Sequence, residues 1–244
     1  MDLGISGRRA AVAAASRGLG YATAAALAGE GVQVAICGRD EGAITEAAGR
    51  IGHRAVPLVG DVSTVNGARA FVGAARDALG GVDILVTNAG GPPPGNFSSI
   101  DVGQYLAAIE LNCLSVIAMC DAAVPEMRRQ RWGRVVAITS IAVRQPIPGL
   151  ILSNTARAGA TGFLKTLARE VAGDGVTVNS LQPGTHDTDR VRQLGLTDAS
   201  GIPAGEVGRP EDFGAIAAFL CSEHVRFLTG SAIPVDGGAY AGLL

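Results

Sequence analysis

Short apolar runs alternate along this chain with longer stretches in which apolar residues return every three to four positions. The runs predict strands and the longer stretches predict helices. Arg8–Ala15 is the first run, and Leu19–Gly29 the helical stretch after it. Val32–Cys37 precedes an Ala-rich helix over Glu41–Ile51, and Ala55–Val59 precedes one over Val65–Leu79. Val82–Thr87 runs into a loop through Pro92-Pro93-Pro94-Gly95. A long helix over Val102–Arg128 follows, with Pro125 expected to bend its last turns. Val135–Ile138 is apolar at every position, the mark of a strand buried on both faces. Beyond a loop with Pro146 and Pro148, a helix is expected over Leu152–Ala172. Val176–Leu181 is closed by Pro183-Gly184. Glu211–Cys221 is a last helix, and Ser231–Val235 a last strand. Thr185–Gly208 is polar and aperiodic, which reads as a mobile flap over 185–208. Seven strand–helix alternations with short links predict a doubly wound parallel α/β sheet of about seven strands, with helices on both faces. One domain over 1–244 is expected, with no repeat or linker.

Composition agrees with that architecture. Hydrophobic residues make up 48% and aromatics 4%, with 35 Gly among 244 residues, which suits helices packed closely on a parallel sheet. A net charge of −2 gives no reason to expect nucleic acid or a membrane surface as partner. Cys37, Cys113, Cys120 and Cys221 lack metal-type spacing, so no metal site is expected and the thiols read as reduced and mostly buried. No run of membrane-spanning length is expected, and the chain reads as a soluble, cytoplasmic protein.

Two stretches carry candidate chemistry. Ala13-Ala14-Ala15-Ser16-Arg17-Gly18-Leu19-Gly20 joins the first strand to the first helix. Gly18 would let a backbone approach a pyrophosphate, Gly20 would let the helix pack on the strand, and the helix start would supply amide donors. An ordinary strand–helix loop is the alternative. The second stretch surrounds the central strand. Ser140 stands at its carboxyl end, where open α/β sheets bind ligands, and Ser153 and Arg157, four apart, share one face of the next helix.

The turn resembles the Thr-Gly-x-x-x-Gly-x-Gly pattern of short-chain dehydrogenases/reductases of the classical type, with Ala13 and Ala14 at its first two positions. Asp61-Val62 is similar to that family's adenine-contacting pair, and Asn88-Ala89-Gly90 to its motif after strand four. Asn112 matches its helix-borne asparagine, and Ser140 its catalytic serine. Asn179 with Pro183-Gly184, Thr188, Gly208-Arg209-Pro210-Glu211-Asp212 and Val235-Asp236-Gly237-Gly238 complete the series. The resemblance covers essentially the whole chain, and looks nearest to 3-oxoacyl-carrier-protein reductases. It implies a Rossmann-type fold, a nicotinamide cofactor, a carbonyl or alcohol substrate and a dimer or tetramer. It also implies cofactor contacts at Ala14, Ser16, Arg17, Gly18, Leu19, Gly20, Arg39, Asp61, Val62, Asn88, Ala89, Gly90, Arg157, Pro183, Gly184 and Thr188, and catalytic roles near Asn112, Ser140, Ser153 and Arg157.

Departures from the family pattern are equally informative. Strand two ends in Gly38-Arg39, with no acid there to accept from a ribose 2′-hydroxyl. Arg17 and Arg39 could instead clamp a 2′-phosphate, so NADP(H) is expected over NAD(H). The family's proton-donating tyrosine falls on Ser153, and its lysine on Arg157. A serine hydroxyl is a far weaker acid than a phenol, and an arginine stays protonated. Three readings stay open: a reductase whose proton comes from water or from another group such as His186, an NADP(H)-binding sensor or partner subunit, or an isomerase or dehydratase on the same scaffold. Ile147, Pro148, Leu150, Ile151 and the flap are expected to shape an apolar substrate pocket. Arg128, Arg129, Arg131 and Arg134 could dock an acidic carrier protein, although cations at a helix end also suit its dipole.

Overall fold

The computed structural model describes residues 1–243. Its seven strands are β1 (Arg9–Val12), β2 (Gln33–Gly38), β3 (Ala55–Val59), β4 (Ile84–Thr87), β5 (Gly133–Ile138), β6 (Val176–Pro183) and β7 (Ala232–Val235). They form one parallel sheet in the order β3-β2-β1-β4-β5-β6-β7. The order reverses between β1 and β4, and a doubly wound sheet opens its ligand crevice at that point.

Strand β5 shows how sequence becomes layer. All six of its residues are buried. Val135 and Ala137 join the core under α3 (Val65–Leu79), α5 (Ser115–Arg129) and α6 (Ile151–Val171), with Phe71, Met119 and Leu164. Val136 and Ile138 join the opposite core, under α1 (Gly18–Gly29), α2 (Glu41–Ile51) and α8 (Pro210–Leu220), with Leu27, Ile44 and Phe213. Alternate side chains of one strand therefore serve two helical layers, which is why Val135–Ile138 is apolar at every position.

Some boundaries differ from those the sequence suggests. The first strand ends at Val12 rather than Ala15, because Ala14 has a φ of 47° and breaks the extended path. The long helix starts as α4 (Val102–Ile109), passes through a π turn over Glu110–Leu114 and continues as α5, with Pro125 inside it. The expectation that no apolar stretch reaches spanning length is corrected here. Val102–Arg129 is a 28-residue helix whose apolar window has a mean hydropathy of 1.6, but half of that window is buried in the fold. Its apolarity serves the core, through Met119, Cys120, Ala123 and Met127. Within 185–208 lies a short helix, α7 (Asp189–Gln193), capped by Thr188. Cys37, Cys120 and Cys221 are free and buried, and burial pushes their thiols up to about 12.

Candidate active site

A cleft of about 600 Å³ opens at the carboxyl ends of the strands. Its floor at one end is the turn from β1 into α1. Ala13 N–H donates to Val86 O at 3.1 Å and Ala15 N–H to Cys37 O at 2.9 Å, which stitches the turn to both neighbouring strands. Ala14 and Gly18 both adopt left-handed backbone, at φ 47° and 61°. The carbonyl of Ala14 accepts from Asn88 Nδ2 at 3.1 Å. A Cβ on Gly20 would lie 2.6 Å from that carbonyl oxygen and 2.7 Å from Asn88 Nδ2, so only glycine lets α1 come this close. No side chain caps the start of α1, and its first turn holds no acid. The first amides of α1 thus keep their donors and the helix's partial positive charge for a ligand. Ser16, Arg17, Gly18 and Leu19 line the cleft beside them. This donor set and close backbone approach fit a dinucleotide pyrophosphate.

Arg39, exposed, and Asp61 line the same end, with buried Val62. Asp40, the acid next to Arg39, is committed elsewhere. Its carboxylate caps α2 by accepting from Ala43 N–H at 2.7 Å. Asp61 accepts from Ser63 N–H at 2.9 Å. Arg17 reaches toward Asp189 across the cleft at 3.6 Å, with 71% of its side chain exposed. The Asp189 carboxyl sits below its usual range, chiefly through its hydrogen bond from Arg192.

At the other end, Asn88, Ala89 and Gly90 follow β4 along the wall. The π turn carries Asn112, whose Nδ2 donates to Gly90 O at 3.0 Å while its Oδ1 is buried without a partner. Such a turn adds one residue to a helical repeat and aims a side chain that regular helix would turn away. Ser140, just past β5, accepts from Ala142 N–H at 3.1 Å, which leaves its own hydroxyl proton for a ligand. On α6, Arg157 Nε donates to Ser153 Oγ at 3.2 Å. Its Nη1 donates to the carbonyls of Ile138 and Thr139, at 3.1 and 3.0 Å. Desolvation pushes Arg157 down to about 10, with Arg190 contributing like-charge repulsion. It remains a cation at neutral pH, fixed between the end of β5 and the Ser153 hydroxyl.

Pro183 and Gly184 line the cleft before α7, with Thr188 packed over Gly18. His186 lines the cleft but is only 4% exposed. Its ring meets Phe213 edge-on at 5.2 Å, and Nδ1 lies 3.3 Å from Gly184 O. A Cβ on Gly208 would sit 3.0 Å from its Nε2. Burial lowers its pKa. These contacts describe an imidazole wedged as packing between the flap base and α8. Of the expected apolar wall, Leu150 lines the cleft and Ile147, Pro148 and Ile151 do not. Sequence reasoning missed Arg190, which lines the cleft from α7 and donates through Nη2 to Pro92 O at 2.9 Å. Its only sequence signal was a cation in a segment read as shapeless. The arginines considered for carrier-protein docking are mostly spent. Arg128 and Arg131 both pair with Asp174, at 2.6 and 3.1 Å, and Arg134 is 2% exposed.

Comparison with known proteins places this geometry. A family model described as enoyl-(acyl carrier protein) reductase matches residues 13–240. The 3-oxoacyl-(acyl-carrier-protein) reductase FabG of Vibrio cholerae is 31% identical over 98% of this chain and 99% of its own length. The FabG of Escherichia coli K12 is 33% identical over the same shares. Among solved structures, L-sorbose reductase from Gluconobacter frateurii, complexed with NADPH and L-sorbose, superposes with a TM-score of 0.93 at 31% identity, covering 100% of both chains. The RhlG/NADP active-site complex of Pseudomonas aeruginosa gives 0.90 at 29% identity, covering 98% of both. The family model spans nearly the whole chain and the FabG relatives exceed 30% identity over 98% of it, so the chain belongs to the short-chain dehydrogenase/reductase family of oxidoreductases.

Proposed function

We propose that this protein is an NADP(H)-dependent oxidoreductase that interconverts a small-molecule carbonyl and alcohol through an atypical Ser/Arg centre. The observation that carries this reading is the Arg157 guanidinium bonded to Ser153 Oγ at 3.2 Å inside the dinucleotide cleft. The α1 amides, Gly18 and Asn88 would hold the cofactor's pyrophosphate side, and Arg39 with Arg17 its 2′-phosphate. Two of the similar structures are complexes with NADPH and with NADP, and the FabG relatives are 3-oxoacyl-(acyl-carrier-protein) reductases. When bound, the nicotinamide supplies or accepts a hydride equivalent. The chain's own residues do the rest. Ser140 donates its hydroxyl proton as a hydrogen bond to the substrate oxygen. Ser153 does the same, oriented by Arg157, whose fixed charge stabilises negative charge developing on that oxygen. Neither serine is a strong acid, so the proton finally comes from water along the open cleft.

The missing phenol supports a second reading, in which the protein binds NADP(H) without turnover. Fluorescence titration with NADPH tests binding, and ketone-dependent loss of nicotinamide absorbance tests turnover. Binding with no loss for any ketone would favour the second reading. No NADPH binding would overturn both.

The assembly proposal rests on the α4–α5 helix, where Val102 and Leu106 are 82% and 74% exposed and Leu114 is 40% exposed. Apolar side chains so exposed on one long helix suit an isologous interface in a dimer or tetramer. Light scattering giving a monomer mass at micromolar concentration would refute it.

A further inference from the structure

The reaction end of the cleft has an uncompensated charge. Among the described residues, Arg157, on α6, makes hydrogen bonds only to neutral acceptors, the Ser153 hydroxyl and two backbone carbonyls. Arg190, on α7, faces the same cleft, with its head against the backbone at Gly91 and Pro92. Neither arginine forms an ion pair among the described residues. The carboxylates lining the cleft are Asp61 and Asp189. Asp61 lies at the far end, beyond β2 and β3, and Asp189 is taken by Arg192 at 2.9 Å and Arg17 at 3.6 Å. Half-buried Arg157 and exposed Arg190 thus border one space that no carboxylate among the described residues neutralises, and the repulsion between them registers at Arg157. A partly buried cation without a counter-charge is costly, and a bound anion would relieve it. Leu150, Val191 and Leu194 give the same space an apolar side.

We propose that the substrate carries an anionic group, a carboxylate or a phosphate, near its reacting carbonyl, and that Arg190 is the residue that selects for it, with Arg157 set toward the carbonyl. This rests on the oxidoreductase reading above and names the substrate class of that site. The flap then has a chemical task. The anion draws Arg190, and with it α7, over the bound molecule. Selection arises because a neutral analogue leaves Arg190 without a counter-charge, whereas an anionic one pairs it.

The test uses two matched pairs of probes: acetoacetate against ethyl acetoacetate, and dihydroxyacetone phosphate against dihydroxyacetone. Each is titrated calorimetrically into the full chain, alone and saturated with NADP⁺, and each is assayed with NADPH. The expected result is at least a tenfold preference for the anion in one pair, and the pair that shows it separates carboxylate from phosphate. In Arg190→Gln that preference should fall to within threefold of unity, and Arg190→Lys should restore part of it. NADPH affinity should stay within threefold in both variants. The proposal is overturned if the neutral member of each pair binds as well as the anion. It is also overturned if Arg190→Gln weakens both members alike, or if it chiefly weakens NADPH, which would place Arg190 on the cofactor. Failure of NADPH to bind wild type would sink the oxidoreductase reading instead, and the titrations without cofactor would still decide the role of Arg190.

Discussion

The two ends of the cleft have diverged to different degrees. At the nucleotide end, geometry survives a change of residue. Ala14 stands where the family pattern has glycine, yet it adopts the left-handed backbone, and its carbonyl still takes the Asn88 hydrogen bond at 3.1 Å. At the reaction end, the proposed function has position kept and chemistry changed. Ser153 and Arg157, on α6, line the cleft with Ser140, and in the function proposed above they stand in for the phenol and amine that the family resemblance puts at those positions. Binding a dinucleotide depends on backbone donors and close approach, which many side chains tolerate. Proton transfer depends on one functional group with a suitable pKa, and no neighbouring scaffold replaces it.

The largest effect should come from restoring that group. Ser153→Tyr with Arg157→Lys puts a phenol and a flexible ammonium where Ser153 and Arg157 now hold each other. General acid catalysis contributes about 10²–10⁴-fold, so ketone reduction with NADPH and generic β-ketoesters should rise at least tenfold over wild type. Ser153→Tyr alone should gain less, because the planar guanidinium is anchored on Ile138 O and Thr139 O and cannot rearrange around a ring. If wild type already reduces such esters as fast as the double variant, the reaction end has kept its proton donor.

Next in size is a break at the nucleotide end. Gly20→Ala would place a methyl 2.6 Å from Ala14 O and 2.7 Å from Asn88 Nδ2. Overpacking of this kind costs about 1–3 kcal/mol. Tm should fall and NADPH binding weaken tenfold or more, while a comparable change at exposed Gly49, where nothing lies within 4 Å, should do neither. Normal NADPH affinity in Gly20→Ala would show that the close approach is dispensable.

A third, smaller effect concerns cofactor choice. With Asp40 tied to the α2 cap, Arg39 is the exposed group facing the nucleotide end. Arg39→Asp should reduce the preference for NADPH over NADH by roughly tenfold, about the weight of one charge-assisted hydrogen bond. Equal affinities of wild type for the two cofactors, by calorimetry, would remove the 2′-phosphate role.

The layers were legible in the sequence because a strand buried on both faces is largely apolar, as β2, β4 and β5 are, while β6 buries Thr177, Asn179, Ser180 and Gln182 among its apolar residues. The turn was legible through Gly18 and Gly20, which have steric reasons to be glycine. Three features were hidden for physical reasons. The π turn adds one residue inside a long apolar helix, and a helical period blurs such an insertion; polar Glu110 and Asn112 were its trace. His186 reads as a loop residue because its packing partner, Phe213, lies on another element. Arg190 reads as solvated, since a five-residue helix carries too little periodicity to announce itself and its anchor is the backbone of Pro92. Each depends on a tertiary contact that no local pattern encodes.

The smallest predicted effect probes how the nucleotide end absorbed its substitution. Ala14 is half-buried, with its N–H on Cys37 Sγ at 3.5 Å and its carbonyl on Asn88 Nδ2 at 3.1 Å, so the turn holds it at φ 47° from both sides. Left-handed backbone costs a non-glycine residue about 1–2 kcal/mol. Glycine would release that strain but would lose about 0.5–1 kcal/mol through the greater freedom of the unfolded chain. The balance favours Ala14→Gly by about 0.5–1 kcal/mol, which for a domain of this size raises Tm by about 1–4 °C. NADPH affinity should hold or improve slightly, because the backbone path around Gly18 is unchanged. An unchanged or lower Tm would mean that the alanine methyl gives back in packing against the core what its backbone loses in strain, and the turn would then be adapted to alanine rather than tolerant of it.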